Sequence, residues 1–134
     1  MRQTALKNKA RKHHKLLEMN SDTYTLRRKV MSIIYEAKKL VPSLPRVEVR
    51  IVKKLTCKDR VSGYAYLGRN IVHILDTTCD GPQLRHVVYH ELCHAILGID
   101  HHRHCKLMRP SWNYDRLCTR SECESIFIDY YNQS

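Results

Sequence analysis

Hydrophobic residues recur at helical spacing near both ends of the chain and at strand spacing between them. Leu26, Val30, Ile33, Ile34, Ala37 and Leu40 recur every three or four positions, the stripe of a helix running to about Leu40. Ser21, Asp22 and Thr23 offer N-caps for it, and Arg27, Arg28, Lys29, Lys38 and Lys39 fall on its outward face. Pro42 and Pro45 stop that helix. Val47, Val49 and Ile51 then alternate with Glu48 and Arg50, the period of a half-buried strand. Gly63 to Leu75 predicts two more strands, broken around Gly68-Arg69-Asn70. Asp80-Gly81-Pro82 opens a second helix, with Asp80 as a cap and Pro82 in the first turn. On its projection Leu84, Val88, Tyr89, Leu92, Ala95 and Ile96 gather on one side. His86, His90, Glu91 and His94 gather on the other or at its margin. Gly98 is placed to end the helix in a left-handed conformation. A last helix is expected from about Asn113 to Tyr130, with Leu117, Ile126, Phe127 and Tyr130 turned inward. The order predicts one α+β domain over residues 21–134, with an N-terminal helix, a small three-stranded or larger mixed sheet, and two later helices.

Composition narrows the setting. A chain of 134 residues can bury a modest core without disulfide staples. No stretch approaches the roughly 18–20 apolar residues of a membrane span, so no membrane partner is expected. The first twenty residues lack the apolar run of a secretory signal, which points to a cytoplasmic protein with reduced thiols. Cys57, Cys79, Cys93, Cys105, Cys118 and Cys123 are then thiols or ligands rather than bridges. Charge is unevenly placed. Residues 1–60 hold 17 basic against 5 acidic side chains, whereas residues 61–134 hold 7 against 8. The excess sits in a basic arm, residues 1–20, and in the helix after it. Such an arm can contact nucleic acid or an acidic protein surface, or serve only as a solvated tail.

The near-neutral half carries the candidate chemistry. His90-Glu91-Leu92-Cys93-His94 puts two imidazoles four residues apart, about 40° around a helix, where both reach one metal ion. Glu91, beside the first of them, is placed to deprotonate a metal-bound water. A third ligand is expected from the histidines that follow. A continued helix would leave His101 roughly 16 Å along the axis from His90, so a turn at Gly98 is required. His101 is the first choice, and His102 and His104 compete with it. Three imidazoles with an open position suit Zn2+. A fourth position filled by His102, His104 or Cys105 would instead make the ion a non-catalytic staple.

The string HELCHAILGIDHHRHCKLMRP resembles the metzincin clan of zinc peptidases, and most closely the matrixin pattern HExxHxxGxxH followed by a Leu-Met-x-Pro turn. His90, Glu91, His94, Gly98, His101 and Met108 match it. There is one departure: three residues rather than two separate His94 from Gly98, which rotates the helix end by about 100°. The resemblance spans roughly residues 62–112. It implies a compact zincin fold and zinc-dependent hydrolysis of a polypeptide substrate, with Glu91 as general base. His90, His94 and His101 would be the ligands, and Met108 the Met-turn beneath the metal. It also implies an edge strand, within Gly63 to Ile74, that binds extended substrate by backbone pairing. HELCHA is similar also to the SprT-like intracellular zinc peptidases, whose paired CxxC tail this chain lacks. Small chains with this layout resemble predicted metallopeptidases of bacteriophage genomes, which adds a virion-associated location. It also adds the alternative of a zinc-stapled accessory protein docked through its basic arm.

Weaker candidates remain. Tyr114 follows the Met-turn and could reach a developing oxyanion. His86 is expected to support the site or lie at the surface, and Cys93 to pack. Cys57 or Cys79 could cap the metal, though nothing in the spacing argues for it. Cys105, Cys118 and Cys123, with or without His104, could make a second structural zinc site, against the simpler reading of scattered thiols.

Overall fold

The computed structural model describes residues 21–53, 63–110 and 116–134. The basic arm, Cys57 and Tyr114 lie outside them. The described residues form a small α+β domain in the order α1 (Ser21–Leu40), β1 (Glu48–Val52), β2 (Gly63–Ala65), β3 (Ile71–Leu75), α2 (Pro82–Ala95) and α3 (Arg120–Gln133).

Helix α1 buries Leu26, Val30, Ile33, Ile34 and Ala37 as its spacing requires. Leu40, however, is 39% exposed, and the next apolar residue on that stripe, Val41, is buried in its place. Arg27 does not simply face water, since its guanidinium donates to the Val49 carbonyl at 2.9 Å and ties α1 to the first strand. The sheet runs β1-β3-β2, with β1 parallel and β2 antiparallel to β3. Val49 pairs with Val72 and Ile51 with Ile74, so β-branched side chains share the inner face. Central β3 is the driest strand, with Val72 and Ile74 fully buried.

Helices α1 and α2 pack on the sheet and on each other, and α3 packs on the helices. Leu84, Val88, Tyr89, Leu92 and Ala95 are the fully buried face of α2. Tyr89 meets Phe127 of α3 edge to face, with ring centroids 5.5 Å apart. Truncating Leu92 to Ala would cost about 2–5 kcal/mol at so dry a position.

Two local expectations are corrected. Asp80 does not cap α2: the N-cap is Gly81, without a side-chain cap bond, and Asp80 pairs with Lys29 at 2.5 Å. A positive φ of 85° at Gly81, a position suited to glycine, sets the entry instead. The last helix starts at Arg120 rather than near Asn113, because Thr119 and Glu122 form a reciprocal capping box.

Candidate metal centre

The HELCH segment occupies the last turns of α2, and the chain after it is built to return. Around Gly98, at φ 64°, the Ile99 amide donates back six residues to the Cys93 carbonyl at 3.1 Å and closes the helix end. That reversal swings the following residues back along the helix. The hairpin turn between β2 and β3 secures the same end from the other side. Gly68 N donates to His94 O at 3.0 Å and Asn70 N to Ala95 O at 3.2 Å, which satisfies carbonyls that a helix end leaves open.

The returning chain then fixes both imidazoles. His94 Nδ1 lies 2.6 Å from the Ile99 carbonyl, and His90 Nδ1 lies 2.6 Å from the Leu107 carbonyl. A carbonyl only accepts, so each Nδ1 carries the proton and each Nε2 presents a bare lone pair. These two Nε2 atoms face one another at 3.0 Å. Two acceptors so close repel unless a positive charge lies between them. Burial, the largest influence on His90, pushes its pKa down to about 3, and burial lowers that of His94 as well. A shared proton is therefore disfavoured near neutrality, and the donor set fits a metal cation.

His101 closes the group. Its ring centroid is 5.3 Å from that of His90 and 4.8 Å from that of His94, and one ligand nitrogen from each ring lies within 4.8 Å of the others. His102 and His104 do not join it. They are exposed and pair with each other, the His104 amide donating to His102 Nδ1 at 3.2 Å. Among the described residues no fourth His, Cys, Asp or Glu completes the group. Because His101 is exposed while His90 and His94 are largely covered, one side of the group faces solvent.

Glu91 stands beside it, Oε1 lying 3.8 Å from His90 Nε2. Burial raises the Glu91 pKa to about 8, and its Oε2 is buried with no hydrogen-bond partner. Gly63, at the start of β2, makes room for that carboxyl. A Cβ there would lie 2.8 Å from Glu91 Cγ and 2.9 Å from Val87 Cγ1. The strand expected from Gly63 onward carried no sign of this contact. Met108 is fully buried, and its carbonyl accepts from His102 N at 2.8 Å, one residue beyond the carbonyl that orients His90.

A second group of possible metal ligands lies one turn back along α2. His86 is not at the surface: it is 1% exposed and gathers with Cys118 and Cys123, both buried. Cys105 and His104 are not part of that group. Cys93 is fully buried in the core. Cys79 belongs to neither group of possible ligands. No protein family, no curated protein and no solved structure matches this chain.

Proposed function

We propose that the chain is a zinc-dependent peptide hydrolase, with His90, His94 and His101 holding the ion and Glu91 as general base. The observation that carries the reading is the opposed pair of bare Nε2 atoms, fixed by two backbone carbonyls, beside a buried carboxyl with an unused oxygen. Zinc bound there would acidify a water molecule and polarise a substrate carbonyl. The residues of the chain do the rest. The Leu107 and Ile99 carbonyls hold the two imidazoles in one tautomer and one orientation, as outer partners of metal-binding histidines do. Glu91 takes a proton on its free oxygen and returns it to the leaving amine. Desolvation makes Glu91 a stronger base than an exposed carboxylate, and the nearby cation keeps it ionised.

Peptide is preferred to a small amide because of β2. That strand pairs only with β3 among the described residues, and its backbone passes the Glu91 side chain at Gly63. An extended chain added on its free edge would run past the base. The absence of a fourth protein ligand among the described residues favours catalysis over a purely structural ion.

Glu91→Gln tests the reading. The variant is expected to keep its zinc and its fold while hydrolysis of casein and of quenched fluorescent peptides drops by about 10²–10⁴-fold. Full hydrolysis by metal-loaded Glu91→Gln would sink it.

A further inference from the structure

Cys118 and Cys123 are five residues apart, and in a continuous helix they would point about 140° away from each other. They meet because the helix does not begin until after Thr119. The capping box formed by Thr119 and Glu122 starts the helix there, so Cys118 stays outside it and lies against the first turn of α3. His86 anchors it there: the Cys118 amide donates to His86 Nδ1 at 3.0 Å. Nδ1 is thus the unprotonated nitrogen, and its lone pair is turned toward Cys118. One ligand atom each from His86, Cys118 and Cys123 lies within 4.8 Å of the other two, and all three residues are buried.

We propose that His86, Cys118 and Cys123 form a second metal site, a zinc staple joining α2 to the start of α3. The donor set suits the ion, since two thiolates and one neutral imidazole neutralise its charge inside the core. The metal takes the lone pair of His86 Nδ1 that the Cys118 amide otherwise occupies, so binding displaces one hydrogen bond and gains three ligand bonds. A cavity of about 930 Å³, lined by Cys79, Gln83, Leu117 and Cys118 among others, opens beside Cys118. Cys118 and Cys123 are free thiols, so no disulfide competes for the sulfurs. The site shares no ligand with the three-histidine group, and the two stand or fall separately.

Cobalt titration of the reduced, chelator-stripped chain under argon tests it. The expected result is two Co2+ ions per chain, one of them giving the near-ultraviolet charge-transfer band of thiolate ligation. The Cys118→Ser/Cys123→Ser double variant should lose that band and one ion. The His90→Ala/His94→Ala variant should lose the other ion and keep the band. Uptake of one ion by the wild-type chain without a thiolate band overturns the proposal, and this measurement does not depend on any variant folding. A thiolate band that survives in the double-cysteine variant overturns it too, because the sulfurs would then be others.

Discussion

The two ends of one histidine stripe on α2 live in opposite surroundings. His86, His90 and His94 follow each other at four-residue steps, and the His86 ring stacks on that of His90 with centroids 6.4 Å apart. Toward the helix end, the returning loop brings His101, an exposed imidazole, to His90 and His94 next to a buried carboxyl. One turn earlier, the entry to α3 brings two buried sulfurs. The helix supplies the same imidazole in both places. What arrives from elsewhere in the chain, and how wet it is, decides whether a bound ion would have a free face and a base or only ligands.

That contrast can be broken most severely at Gly63. Gly63→Ala places a methyl group 2.8 Å from Glu91 Cγ, so the carboxyl or the strand must move. Displacing a catalytic group by about 1 Å can cost about 10²-fold in kcat/KM, whereas zinc content and the cobalt–thiolate band should be unchanged. Peptide hydrolysis assays beside metal analysis read both, and wild-type hydrolysis by Gly63→Ala would mean that the strand gives way and the carboxyl stays in place.

A smaller effect separates the two ends by pH. In metal-free protein the Glu91 pKa stands raised from 4.5 to about 8. The folded state therefore holds a proton that the unfolded chain gives up, and stability falls as pH rises between those values. His90 and His94 work in the opposite direction, but only below about 6.5, where the unfolded chain would protonate them. Thermal melts of chelator-treated protein between about pH 6.5 and 8 should show the wild-type melting temperature falling relative to that of Glu91→Gln. Parallel curves would mean that the carboxyl is not desolvated as described. Saturating zinc should flatten the difference by holding Glu91 ionised.

The smallest expected change is at Thr119. Thr119→Ala removes the cap that keeps Cys118 outside the helix, at a cost of about 1 kcal/mol in stability. Zinc affinity should weaken at the sulfur-containing site alone, read as faster release of one ion to a colorimetric chelator. Equal weakening at both sites would mean that the cap acts on the whole domain.

Much of this arrangement was legible in the sequence. Strict alternation at Val47, Val49 and Ile51, and the spacing of Leu84, Val88, Leu92 and Ala95, are local signals with long-range meaning, because each periodicity has one buried face. Gly98 marked the helix end, since a left-handed turn there favours glycine. The His86–Cys118–Cys123 group was not legible. It depends on Thr119 breaking a helix that the apolar residues would otherwise extend, and on a contact across thirty-two positions between His86 and Cys118. Capping boxes are readable as Thr-x-x-Glu, and Thr119-Arg120-Ser121-Glu122 was there to be read. Asp80 misled for a related reason. It has the side chain of a cap, but Lys29, fifty-one residues away, holds it elsewhere.

The hydrogen bonds from Gly68 and Asn70 to the last carbonyls of α2 make one cooperative unit of the hairpin and the helix end. The helix cannot fray at His94 without the hairpin turn letting go, and β2 cannot drift without loosening the imidazoles. In amide hydrogen exchange, Gly68 and Asn70 should open together with the terminal turn of the helix, although they sit in a surface loop. Rigidity in this small domain would then reside in a turn, the part of a protein usually surrendered first to motion.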